Sequence, residues 1–214
     1  MYEKETRSQA HYQRRARLYD WANRLSSLVR GISGMKERRK AVERLELRQG
    51  ARVLEVSVGT GTNLPLITER TGPSGHLVGL DIAPNMLRSC RRKLNDHGFT
   101  ADLVVGEAAH LPFADNAFDA VLHHGGLAEF GDKPQALAEM LRVTQSGKKV
   151  VVCDAGVPAD GKLSLPNRLL LNFQPEYRQH PPTDLLPSHA RDVRLSWFHG
   201  GGWYMIECTK GESP

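Results

Sequence analysis

Cysteine is scarce in this chain: Cys90, Cys153 and Cys208 are the only three, they lie far apart, and none forms a C-x-x-C pair. That excludes a disulfide framework and a structural zinc site, and buried reduced thiols are expected. Long apolar runs are missing too. No segment approaches the ~18 consecutive apolar residues of a membrane span, and the opening MYEKETRSQAHYQRRARLYD has no apolar stretch of the signal-peptide kind. No sustained repeat is present, which removes the collagenous and coiled-coil classes. A cytoplasmic protein is the expectation.

What is there suits one sizeable globular unit: 214 residues, 40% of them hydrophobic. The formal charge of +5 is unevenly spread. Residues 1–48 hold 13 Lys and Arg against 6 Asp and Glu, whereas the remainder holds 16 against 18. A solvated helical face accounts for the basic excess, and so does contact with an anionic membrane surface, a phosphorylated substrate or RNA.

Leu18, Trp21, Leu25, Leu28, Val29 and Ile32 recur at three- and four-residue spacing among arginines, which predicts amphipathic helix. A further helix is expected from about Lys36 to Leu47, so residues 1–48 read as a helical cover and residues 49–214 as a single domain. From Ala51 strands alternate with helices: strands at Arg52 to Val56, His76 to Ile82, Ala101 to Val105, Ala117 to Leu122 and Lys148 to Asp154, with helices near Asn63 to Arg70, Pro84 to Asp96 and Lys133 to Thr144. Near-continuous apolar strands in such alternation predict an α/β fold, a doubly wound Rossmann-like sheet covered on both faces. Two β-leaning runs near the end, Arg191 to Phe198 and Gly202 to Cys208, predict a closing antiparallel hairpin. The proline-broken stretch between Val157 and His189 reads equally as a pocket wall or a connector.

The strongest chemical signal is V-L-E-V-S-V-G-T-G-T-N-L at Val53 to Leu64, a strand running into a glycine turn and then a helix that begins near Asn63. Gly59 and Gly61 permit positive φ and close backbone approach. A dinucleotide fingerprint needs a third glycine where Leu64 stands, and a P-loop needs G-K-S/T where Gly61 is followed by Thr62 and Asn63. Glu55 before the glycines repels a pyrophosphate and suits a ligand with a cationic amino group.

These residues resemble the signature of class I S-adenosylmethionine-dependent methyltransferases, an acid followed by a G-x-G-x-G turn, with Ser57 in place of the first glycine. The resemblance covers about Tyr12 to Asp154. It extends to G-L-D-I-A-P-N-M at Gly79 to Met86 and to G-E-A-A-H-L-P-F-A-D-N-A-F-D-A-V at Gly106 to Val121. It implies that S-adenosylmethionine is the cofactor, S-adenosylhomocysteine the product, and that no metal is required. Glu55 is then expected to hold the methionine amino group, and Ser57, Gly59, Gly61 and Asn63 to form the turn around it. Asp81 accepts the ribose hydroxyls, Ile82 and Met86 flank the adenine, and Glu107 and the Ala108 backbone meet its polar edge. Tyr12 and Tyr19 resemble N-terminal tyrosines that fold over the cofactor in relatives.

His123 and His124, placed immediately after the fourth strand, sit at the sheet edge where such folds put ligands. One can face the cofactor and the other the acceptor as general base, though a backbone-bonded structural histidine is the competing reading for each. The basic helices followed by V-L-E-V-S-V-G-T-G-T-N-L-P are similar to small bacterial quinone C-methylating and phosphatidylethanolamine N-methylating enzymes. That similarity implies a small organic or lipid-like acceptor and a peripheral contact with anionic membrane. Two alternatives remain: a non-catalytic cofactor-binding scaffold, and an RNA methyltransferase using the basic segment. Nucleic acid is disfavoured, since L-H-H-G-G stands where a base-methylating D-P-P-Y motif belongs.

Overall fold

The computed structural model describes residues 34–165, 167–168 and 178–212. Tyr12, Tyr19 and the helices expected before Gly34 lie outside the described residues. Seven strands form one sheet: β1 Arg52–Val56, β2 His76–Asp81, β3 Asp102–Val105, β4 Phe118–His124, β5 Thr144–Ala155, β6 Ala190–Phe198 and β7 Trp203–Lys210. Their order is β3-β2-β1-β4-β5-β7-β6. β1 pairs in parallel with β2 and β4, and β5 and β6 pair antiparallel with β7. The predicted doubly wound sheet with a closing hairpin is the observed one.

Among the described residues four helices cover it: α1 Gly34–Glu43, α2 Leu64–Thr71, α3 Pro84–His97 and α4 Lys133–Val143. The central strand β1 is buried at four of its five positions, as a strand covered on both faces must be. On one face Ala41 and Val42 of α1 pack with Leu64 and Ile67 of α2, Leu87, Cys90 and Leu94 of α3, and Val53, Ala120 and Val151 of the sheet. On the other, Ala136, Leu137, Met140 and Leu141 of α4 pack on Leu54, Val121 and Val150. All three cysteines are free and buried. No helix of the described residues is long and apolar enough to cross a membrane.

The chain crosses to opposite faces on leaving β1 and β4. Their carboxyl ends therefore diverge into a crevice, the place where open α/β sheets bind ligands. β4 runs two residues further than its apolar pattern suggests. His123 pairs with Val56 and Val152, and His124 with Cys153, so the histidines end the strand instead of following it.

Candidate functional site

The turn after β1 is built against its neighbours. Ser57, Gly59 and Gly61 have φ of 59°, 56° and 76°. A Cβ at Gly61 would stand 2.5 Å from Cys90 Sγ, so the packing of this turn on α3 requires glycine. At Gly59 a Cβ would meet nothing within 4 Å, and the backbone there faces open space. The Gly59 N–H donates to Asp81 Oδ2 at 2.8 Å and the Ala83 N–H to Asp81 Oδ1 at 2.9 Å. Asp81 is 8% exposed; burial pushes its carboxyl above the usual range, against those two hydrogen bonds. Each oxygen keeps a further lone pair for a ligand hydroxyl.

Glu55, at the end of β1, is almost wholly buried. Its Oε1 accepts the Asn63 Nδ2 at 2.5 Å, and Oε2 has no hydrogen-bond partner among the described residues. Burial raises its carboxyl from the usual 4.5 to about 7, opposed by the Asn63 hydrogen bond and by the charge of Arg38. Asn63 stands at the N-cap of α2 but makes no side-chain cap. Its amide oxygen instead accepts Arg38 Nη1 at 2.9 Å.

A cleft opens over the ends of β1, β2 and β4. Ser57, Gly59, Asp81, Ile82, Met86, Glu107 and Ala108 line it. Gly61, Glu55, Asn63, His123 and His124 are not in its wall. The opposite side, from Gly125 and Gly126 through Glu129, Phe130, Gly131 and Asp132 to Ala136, was not singled out in the sequence. The signal for it was Asp132 before Lys133 and Pro134; its side chain accepts the Gln135 N–H at 3.0 Å and starts α4.

Two carboxylates fix the loops of this cleft. Asp154, at the end of β5, accepts the Ala128 N–H at 2.9 Å and the Ala155 N–H at 2.7 Å. The backbone N–H groups of Gly126 and Leu127, like those of Ala155 and Ala128, favour the charged form, and burial still raises its carboxyl to about 6. Glu139 and Arg142 of α4 hold the segment after β3. Glu139 accepts the Leu111 N–H at 2.8 Å, while Arg142 donates to the Leu111 and Phe113 carbonyls, to Asp115 and to both oxygens of Glu139. Glu107, at the start of that segment, lies 3.4 Å from His110.

The histidines differ. His123 is fully buried with Nδ1 on the Val56 carbonyl at 3.0 Å and its ring edge-on to Phe130; burial depresses it to about 4. His124 lies against Trp203, ring centroids 5.4 Å apart. Both its ring nitrogens are buried without a hydrogen-bond partner among the described residues. Burial first, then the Arg38 charge, holds it well below the usual imidazole range. Among the described residues no three His, Cys, Asp or Glu side chains cluster to hold a metal ion.

Residues 1–170 match the ubiE/COQ5 methyltransferase family. Over 151 residues the chain is 36% identical to demethylmenaquinone methyltransferase of Thermus thermophilus, covering 71% of this chain and 67% of that protein. Over 156 residues it is 35% identical to the enzyme of the same name from Anoxybacillus flavithermus, covering 72% and 65%. Over 137 residues it is 34% identical to that of Listeria welshimeri, covering 64% and 58%. The chain thus spans about two thirds or less of these relatives. In structure it resembles a SAM-dependent methyltransferase from Aquifex aeolicus (TM-score 0.59, 18% identity, covering 81% and 89%). It also resembles phosphoethanolamine N-methyltransferase 2 of Haemonchus contortus (0.70, 15%, covering 84% and 53%) and the [4+2]-cyclase SpnF (0.67, 18%, covering 83% and 82%). At these identities the structural likenesses establish the fold alone. The sequence match establishes the family: the chain belongs to the ubiE/COQ5 methyltransferase family of SAM-dependent enzymes.

Proposed function

We propose that the chain transfers the methyl group of S-adenosylmethionine to a small, lipid-like acceptor of the quinone class, releasing S-adenosylhomocysteine. The observation that carries this is the cleft itself. Asp81 stands in its wall with spare acceptor capacity and Ile82, Met86 and Ala108 offer flat apolar contact, while behind that wall the buried Glu55 Oε2 lacks a partner among the described residues. When bound, the cofactor supplies an electrophilic methyl on a sulfonium.

The residues' task is to bind, orient and exclude water, since in-line displacement gains most from positioning. Asp81 would take the ribose hydroxyls, Glu55 the ammonium group, and Glu107 with the Ala108 backbone the adenine edge. Gly59 and Gly126, where a Cβ would meet nothing within 4 Å, leave the backbone open to the ligand. His124 is the better candidate base: both of its ring nitrogens lack a partner among the described residues, whereas His123 spends Nδ1 on the Val56 carbonyl and keeps only Nε2. The depressed basicity of His124 suits receiving a hydroxyl hydrogen bond before any proton moves. In residues 1–48 the basic excess supports contact with an anionic membrane, where a quinone resides.

Labelled methyl uptake onto demethylmenaquinol, the hydroquinone form kept reduced by added dithionite so that a ring carbon is nucleophilic and a hydroxyl can give up its proton, with and without anionic vesicles, tests this reading. Uptake that vesicles enhance is expected. Binding of S-adenosylhomocysteine without uptake onto any quinone would overturn the acceptor class.

A further inference from the structure

The wall of the cleft carries four carboxylates, Asp81, Glu107, Glu129 and Asp132, and among its described residues no Lys, Arg or His. The chain as a whole is at +5, so this gathering of negative charge runs against the composition. Asp81 and Glu107 have roles in the cofactor assignment above. Glu129 and Asp132, on the opposite side, have none. The Glu129 side chain makes no hydrogen bond or ion pair among the described residues. Its backbone is held in place all the same: its N–H donates to the Gly126 carbonyl at 3.0 Å, and the neighbouring Ala128 N–H donates to Asp154. Asp132 accepts the Gln135 N–H, a cap that leaves its charge uncancelled. Lys133, the next residue along, donates to the side-chain amide of Gln179.

A cleft lined by charge of one sign, with apolar walls behind it, focuses its field on whatever enters. Cofactor and product differ in their response to such a field. Methyl transfer breaks the S–CH3 bond and leaves its electron pair on sulfur, while the acceptor gains the methyl and gives up a proton. A sulfonium thus becomes a neutral thioether, and the bound molecule loses one unit of positive charge. We propose that this wall sorts S-adenosylmethionine from S-adenosylhomocysteine by charge, with Glu129 and Asp132 as the residues that set the preference. This rests on the cofactor assignment above. The substrate is drawn in by the field, and the product is let go because the attraction ends when the methyl leaves. Stabilising the sulfonium in the ground state gives up some rate in the chemical step. The gain is a cleft that its own product does not block.

The test is calorimetry at pH 8 with S-adenosylmethionine and S-adenosylhomocysteine, in about 10 mM and in about 1 M salt. At low salt the wild-type protein should hold S-adenosylmethionine roughly tenfold more tightly, and high salt, which shortens the screening length to about 3 Å, should bring the two ligands toward parity. Glu129→Gln combined with Asp132→Asn keeps the shape of both side chains and the cap of α4. This double variant should lower the low-salt ratio by roughly threefold or more, chiefly by weakening S-adenosylmethionine. A wild-type protein that holds S-adenosylhomocysteine as tightly as S-adenosylmethionine at low salt, or a ratio that the double variant leaves unchanged, overturns the proposal. If the wild-type protein binds neither ligand, the cofactor assignment fails and this sorting with it. Thermal unfolding without ligand checks each variant, and Glu129→Gln alone reads the same ratio if the double variant does not fold.

Discussion

The carboxylate of Asp81 accepts the backbone N–H of Gly59 at 2.8 Å, so the end of β2 holds the turn that follows β1. One side chain thereby shapes the turn and presents acceptor sites to the cleft.

Asp81→Ala should lose both roles, weakening S-adenosylhomocysteine by roughly tenfold or more and lowering the unfolding midpoint as well. Asp81→Asn keeps one acceptor oxygen and should fall between. Calorimetry paired with denaturant unfolding reads both quantities; unchanged affinity in Asp81→Ala would remove the ribose assignment.

Glu55 predicts a pH dependence. Its folded carboxyl is raised from 4.5 to about 7, so without ligand the folded state holds the extra proton across that window. Stability from this group is present below pH 4.5 and is lost as pH rises toward 7. An ammonium-bearing ligand needs the ionised form, so affinity should climb through pH 6 to 7 and then level, with proton release on binding near pH 6. Glu55→Gln should flatten both trends. Calorimetry in buffers of different ionisation enthalpy counts the protons, and an affinity independent of pH in the wild-type protein would contradict the assignment.

Arg142→Ala should destabilise the fold by about 2–3 kcal/mol, because it strips the countercharge from the buried Glu139 and two carbonyl contacts from the segment after β3. Arg142→Lys should recover only part, since a point charge cannot reproduce the planar fork. Urea unfolding gives the comparison.

His124→Phe should preserve the ring contact with Trp203 and remove two unpaired buried nitrogens, leaving stability equal or higher. Affinity for S-adenosylhomocysteine should hold while methyl uptake falls about a hundredfold, the usual scale for a lost acid or base. Full turnover in this variant would make the residue structural.

Ser57 occupies a left-handed conformation with φ of 59°. Ser57→Gly should relieve it and raise stability by up to about 1 kcal/mol, whereas the β-branched Ser57→Val should lower it. Thermal midpoints of the two variants, moving in opposite directions, check the strain.

Much of this site is local and could be read in the chain. A strand, a glycine turn and a helix carry Ser57, Gly59 and Gly61; a strand end followed by a helix carries Asp81, Ile82 and Met86. Each such unit is a short run of residue types, legible before the contacts of Gly59 with Asp81 and of Gly61 with Cys90 are known. The end of β4 is not legible in the chain because His123 and His124 are polar, and only the ladder with β1 and β5 shows that the strand continues through them. The wall from Gly125 to Asp132 was passed over because Asp154, which fixes its first turn, lies 26 residues beyond Ala128.

The periodicity of apolar residues and the glycines at Gly59 and Gly61 thus determined the alternating α/β plan and the cleft's position, since both follow from backbone sterics and burial of continuous stripes. Tertiary structure decided which polar groups meet. Arg38, Asn63 and Glu55 belong to three elements, and Glu139 and Arg142 reach back to Leu111 and Phe113. Such meetings depend on strand order and on the face to which each helix crosses. A buried carboxylate must be hydrogen-bonded, but its spacing along the chain does not say by whom.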